Sequence, residues 1–195
     1  MTYRSASALT AIWLTAGAVA LAQPAPPVIA ALKAGGLVLV MRHAHAPQQP
    51  PAPEDAAPGN TTIERQLDAR GAKDAAAIGQ GLRAFAIPIR AVLVSPAFRA
   101  RQTATQVGFA DAAATPELGD NAQSMAGVTE AQARWLRGQV ATPVATGNLL
   151  LITHAPNLTR AFPDWGGSVA EGEIVVVRPG ADGGTVLARV LPDQW

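Results

Sequence analysis

Leu37-Val38-Leu39-Val40-Met41-Arg42-His43-Ala44-His45 is the stretch on which the fold turns. Its first five residues form an unbroken apolar run behind Gly35-Gly36, the mark of a strand buried on both faces. The polarity then changes at once to a guanidinium and two imidazoles. In sheets of alternating strands and helices, the working residues stand past the carboxyl ends of the strands. Arg42, His43 and His45 are therefore candidate site residues.

Two further runs repeat this design. Ala91 to Val94 reads as a strand, followed by Ser95 as an N-cap and Pro96 at the first helical position of a helix running to Val107. It delivers Ser95 and Arg99. Leu149 to Thr153 is a third strand, with a proline-started helical segment from Pro156. It delivers Thr153, His154 and Asn157. All three histidines of the chain thus fall at two strand ends, with two arginines beside them.

The intervening sequence supplies the helices. Asp68 caps a helix to about Phe85, with Ala75, Ile78, Leu82 and Phe85 on one stripe and small residues allowing close approach to the sheet. Thr129 and Gln132 have capping-box spacing ahead of a helix carrying Leu136. Pro47 to Pro58 carries five prolines and reads as a loop without regular structure. Ile174–Val177 and Val186–Val190 form a closing strand pair around Gly180-Ala181-Asp182-Gly183-Gly184. No internal repeat is visible. The expected fold is α/β: a three-layer α/β/α sandwich around a mostly parallel sheet.

The chain has 195 residues, enough for one domain with its own core, occupying residues 37–195. Residues 1–22 read as a cleavable signal peptide: Arg4, an apolar stretch from Ala6 to Ala20, then the small-x-small pattern Ala20-Leu21-Ala22. Residues 23–36 are a proline-rich leader and lead-in, extended over Gln23–Pro27. A secreted or periplasmic location follows, with no membrane span after cleavage. A formal charge of +1 argues against a nucleic-acid partner held by phosphate neutralisation. Absence of Cys excludes disulfides, thiolate metal sites and a catalytic thiol. Lys33 and Lys73 apart, the basic residues are arginines, whose planar fork grips phosphate in two places.

Two guanidiniums and two imidazoles at one sheet edge, near helix N-termini, make a cationic pocket suited to a phosphoryl group. Phosphoryl transfer needs positioning, charge stabilisation and an in-line nucleophile. An imidazole is the natural nucleophile here, which assigns that role to His43, with His154, Arg42 and Arg99 on the equatorial oxygens. No metal or other cofactor is required.

These residues resemble a family. Arg42-His43-Ala44 after an apolar strand is similar to the Arg-His-Gly signature of the histidine phosphatase (phosphoglycerate mutase-like) superfamily. Ser95-Pro96-Ala97-Phe98-Arg99-Ala100-Arg101-Gln102-Thr103-Ala104 resembles its S-P-x-x-R-x-x-Q-T-A segment. The likeness spans Leu37 to Phe162 and implies a phosphoglycerate mutase-like fold, a phospho-accepting His43, and a phosphate pocket of Arg42, Arg99 and His154. Ala44 departs from the signature, so that position must not need positive φ. Ala155 follows His154, so the His-Asp pair of one branch is missing. The proton donor is then sought after the Arg99 helix, with Glu117 first and Asp120 second. The implied activity is an exported phosphomonoesterase acting on a phosphorylated small molecule or on a phosphate of a larger envelope molecule.

Other readings compete. His43, His45 and His154 could form a three-His zinc site of a hydrolase, although that leaves the arginines unexplained. The same pocket could hold a phosphorylated ligand without turnover. His45 reads first as a rim residue, Ser95 as a cap with a possible phosphate contact, and Asn157 as a helix-starting residue able to reach the pocket. Arg101 reads as the solvated face of its helix. Arg65 and Arg70 read first as surface salt-bridge partners, with contact to substrate as the alternative, and Trp135, Trp165 and Trp195 as packing.

Overall fold

The computed structural model describes residues 24–120, 127–180 and 183–195. The expected signal segment lies outside these residues, as do Ala181 and Asp182 of the expected closing turn. A six-stranded sheet runs through the molecule in the order β3-β2-β4-β1-β5-β6. Its strands are β1 (Val38–Arg42), β2 (Ile89–Val94), β3 (Ala113–Ala114), β4 (Asn148–Thr153), β5 (Ile174–Arg178) and β6 (Thr185–Val190). The pairs β1–β4, β2–β4 and β2–β3 are parallel, whereas β5 pairs antiparallel with both β1 and β6. The sheet is therefore mixed: parallel through the site-bearing strands and antiparallel at the closing pair.

Among the described residues five α-helices cover it: α1 (Pro26–Ala34), α2 (Ala69–Ala84), α3 (Phe98–Val107), α4 (Glu130–Ala141) and α5 (Ala155–Ala161). Strand periodicity decides which residue meets which layer. Leu39, Met41, Leu150, Ile152, Ile174 and Val176 pack with Leu32, Ile78, Leu82, Ala104 and Val107, which puts α1, α2 and α3 on one face. Val38, Val40, Leu151, Val175 and Val177 pack with Leu136, Val140 and Leu158, which puts α4 and α5 on the other. This is the expected three-layer sandwich. The β1 run is apolar throughout because both of its faces lie under helices.

Four local features differ from the sequence reading. The leader is not extended to Pro27: a helix begins at Pro26, because proline suits a first helical turn, and its Leu32 is wholly buried. The prolines of 47–58 admit one short 3₁₀ turn, Pro53–Asp55. β3 is a two-residue strand that no periodicity marks. Helix α3 has Ala97, not Ser95, as its N-cap, and Pro96 lies outside it. Its first amide, Phe98 N–H, donates to the Glu64 carboxylate at 2.9 Å, a partner supplied from 34 residues upstream.

Small residues work at helix contacts as well as at the sheet. A Cβ on Gly79 would lie 2.1 Å from the Val107 carbonyl oxygen, so this glycine sets the closeness of α2 and α3. A Cβ on Gly71 would lie 2.0 Å from the His45 carbonyl, where the first turn of α2 meets the loop after β1. Asp68 caps α2 by accepting from Gly71 N–H at 2.8 Å, and Thr129 with Gln132 forms the expected capping box on α4.

Candidate active site

The parallel strands β1, β2 and β4 end on the same side, and their ends carry Arg42, Ser95 and Thr153. Immediately beyond them His43, Arg99 and His154 meet. The His43 and His154 ring centroids are 5.2 Å apart, and each side chain of this trio is at most 3% exposed. Arg99 lies between the rings. Its Nε–H donates to His43 Nε2 at 3.2 Å, and its Nη2 donates to His154 Nδ1 at 2.9 Å and to Asp120 Oδ2 at 2.5 Å.

Hydrogen-bond chemistry fixes the protons. A carbonyl only accepts, so His43 Nδ1, 2.8 Å from the Ala44 carbonyl, carries the proton and donates it. His43 Nε2 therefore holds a lone pair, consistent with its accepting from Arg99. Burial, then the Arg99 guanidinium and more weakly Arg42 and Arg65, lowers the His43 pKa from its usual range to about 3. Burial first and the Arg99 charge second also push His154 well below the ordinary histidine value. Both imidazoles are neutral near pH 7.

The segment around Arg99 is anchored at both ends. Ser95 Oγ accepts from Ala97 N–H at 3.2 Å and lies 2.7 Å from His154 Nε2, facing the imidazole. Thr103 Oγ1 accepts from Ala44 N–H at 3.1 Å and donates to the Arg99 carbonyl, while Gln102 Oε1 accepts from Leu67 N–H at 2.8 Å. These two side chains tie α3 to the loop after β1 and to the approach to α2. Ala44 has no positive φ, so its Cβ is tolerated where the signature has glycine.

Arg42 occupies the rim. Its Nη1 donates to the Val169 carbonyl at 3.0 Å, and its Nη2 pairs with Glu171 at 3.2 Å. Its Nε is buried without a hydrogen-bond partner among the described residues, a donor that a phosphoryl oxygen could take. His45 faces away from the other imidazoles: Nδ1 lies 2.9 Å from Asp68 Oδ2 and Nε2 lies 3.8 Å from Glu171. The three imidazoles do not converge. Arg99 N–H groups fill the lone pairs that a zinc ion would need, and no cluster among the described residues suits a metal.

Glu117 sits in the short 3₁₀ turn Pro116–Leu118 and makes no hydrogen bond or ion pair to His43, Arg99 or His154. Asp120, three residues on, is the carboxylate that meets them: it pairs with Arg99 and lies 3.6 Å from His154 Nδ1. Asn157 is buried and donates to the Gly119 carbonyl at 2.9 Å, so it acts on the backbone beside Asp120. Arg65 is not a surface salt bridge. It is 6% exposed and donates to the Ala46 and Pro47 carbonyls at 2.6 and 2.5 Å, bracing the loop after β1. Arg70 does pair with Asp74 on the surface, and Arg101 is exposed. Sequence reasoning gave no role to Glu64, Gln102, Thr103 or Glu171. Only the Gln-Thr pair inside the quoted ten-residue segment offered a signal.

No known family model matches the chain, and no curated protein sequence does. Solved structures do. The protein histidine phosphatase SixA complexed with tungstate aligns at 23% identity over 80% of this chain and 97% of its own, with a TM-score of 0.57. A phosphoserine phosphatase mutant from Entamoeba histolytica in complex with phosphoserine aligns at 10% identity over 78% and 95%, with a TM-score of 0.55. The protein TTHB049 from Thermus thermophilus aligns at 20% identity over 80% and 99%, with a TM-score of 0.52. These alignments show that the chain has the histidine phosphatase, phosphoglycerate mutase-like fold.

Proposed function

We propose that this protein is a phosphatase that hydrolyses phosphomonoesters through a phosphohistidine on His43. The observation that carries the reading is Arg99, whose N–H groups hold both neutral imidazoles with their lone pairs turned inward. An incoming phosphoryl group takes over the donors of Arg99 and Arg42, which releases His43 Nε2. That lone pair attacks phosphorus, the ester P–O bond breaks, and the leaving alkoxide takes a proton from Asp120. Asp120, ion-paired with Arg99 at rest, takes up this proton from solvent when the phosphoryl anion displaces it from the guanidinium. Water, deprotonated by Asp120, then breaks the P–N bond and frees phosphate with the imidazole restored.

Turnover of an aryl phosphate by the purified protein tests this, together with trapping of an acid-labile phosphoenzyme on His43. Binding of phosphate esters with no turnover would replace the reading with that of a phospho-ligand-binding protein. Activity lost to chelators and restored by zinc would overturn the metal-free mechanism. For the substrate we favour a phosphorylated small molecule or a phosphate on a larger envelope molecule; a phosphate-ester panel distinguishes them.

We propose a secreted or periplasmic location, supported by the signal-like sequence pattern of residues 1–22. Recovery of the native protein with Met1 intact from the cytoplasm would contradict it. No helix of the described residues is long and apolar enough to cross a membrane.

A further inference from the structure

Ser95 has no direct part in that chemistry, yet it is wholly buried against one of the reacting rings. Its Oγ has two acceptor positions. One takes the Ala97 N–H at 3.2 Å, and the other faces His154 Nε2 at 2.7 Å. At the opposite side of the ring, Nδ1 lies 2.9 Å from Arg99 Nη2. A guanidinium donates and never accepts, so Nδ1 must be the unprotonated nitrogen. The single proton of the neutral ring is then on Nε2, pointing at the free acceptor of Ser95. The other tautomer would set a ring N–H against an Arg99 N–H. Asp120 would not relieve this, because its oxygen lies 3.6 Å from Nδ1, beyond hydrogen-bond reach.

Resting on the phosphatase reading above, we propose that Ser95 is a positioning residue that sets the tautomer of His154, holding its proton on Nε2 and the Nδ1 lone pair in the phosphoryl pocket. The consequence concerns the ionic form of the substrate. A lone pair repels a fully ionised phosphoryl oxygen and accepts a hydrogen bond from P–OH. The site therefore takes the phosphoryl group as its monoanion. For the wild type, kcat/KM falls as pH rises through the second ionisation of the substrate, near pH ~6.

The test is the ¹⁵N resonances of the imidazole rings in the resting protein, followed by Ser95→Ala. The wild type should show His154 Nδ1 unprotonated and Nε2 protonated; the reverse pattern overturns the proposal. In Ser95→Ala, whose His154 ring keeps only the Arg99 contact, the share of the Nε2-protonated tautomer should fall. Its kcat/KM at acid pH should fall about tenfold, because a buried N–H has lost its acceptor. Its decline towards alkaline pH should flatten, and Ser95→Thr, which keeps the hydroxyl, should restore the wild-type pattern. Unchanged ring shifts and an unchanged pH profile in Ser95→Ala would remove the role. Should the alanine variant not fold, Ser95→Cys, whose thiol is a poor acceptor, takes its place in the same measurements. If the wild type turns over no aryl phosphate, the phosphatase reading fails, while the resting resonances of the wild type against Ser95→Ala still report on Ser95.

Discussion

His43 and His45 stand two residues apart after the same strand and belong to different environments. His43 is 3% exposed and donates to a backbone carbonyl, with a guanidinium on its other nitrogen. The His45 side chain is 32% exposed and lies between the carboxylates of Asp68 and Glu171. Desolvation beside a cation keeps the inner ring neutral. The outer ring has solvent and two acidic neighbours, one of which, Glu171, also pairs with Arg42. Residue type is identical at the two positions, so the chemistry comes from the surroundings.

Replacing each ring is the sharpest way to break this contrast. If His43 accepts the phosphoryl group as proposed, His43→Ala should abolish turnover, by at least ~10⁴-fold in kcat. Phosphorylation persisting at another residue would contradict the inner assignment. Arg99→Ala should lower kcat/KM by on the order of 10²–10³-fold if it stabilises transition-state charge. A loss under threefold in steady-state kinetics would exclude that role. Asp120→Asn should slow alkyl phosphates by roughly 10²-fold or more and aryl phosphates far less, because a good leaving group needs little protonation. Equal losses on both would remove Asp120 as donor. His45→Gln should cost only about threefold, mainly in KM, because it reaches Arg42 through Glu171. A loss as large as that of His43→Ala would erase the distinction between the two rings.

Stability sharpens the same contrast. His43 and His154 are held neutral when folded, and their pKa values are lowered. Below their ordinary unfolded value near ~6.5, the unfolded chain binds more protons than the folded one. Thermal stability should therefore be full above that pH and decline as pH falls towards the folded His43 value of about 3. His43→Gln should reduce the slope of Tm against pH over this range. An unchanged slope would mean that the ring is already protonated in the folded state.

The legible part of the fold was the part written in local pattern. Three apolar runs, each followed at once by polar residues, placed β1, β2 and β4 and the residues beyond them. The ten-residue segment from Ser95 placed Arg99 on a helix start, where the structure has it. Helix α1 was hidden by its prolines, and β3 by having two residues. The carboxylate that meets Arg99 was hidden for a different reason. Glu117 and Asp120 are three residues apart in a loop region, and nothing in either residue reveals which carboxylate the turn carries to Arg99. Arg65 was hidden because its partners are backbone carbonyls, which every residue has.

By itself the sequence determined the alternation of strands and helices, the loading of histidine and arginine at strand ends, and the absence of thiol chemistry. Each of these follows from residue type and short-range spacing. The tertiary structure alone decided that His43 and His154 share one arginine, that Asp120 joins them, that His45 turns away and that Ser95 faces a ring rather than an open pocket. Those are contacts between segments 21 to 59 residues apart. Their chemistry depends on how completely water is excluded and on which donor meets which lone pair, and neither exists until the layers close.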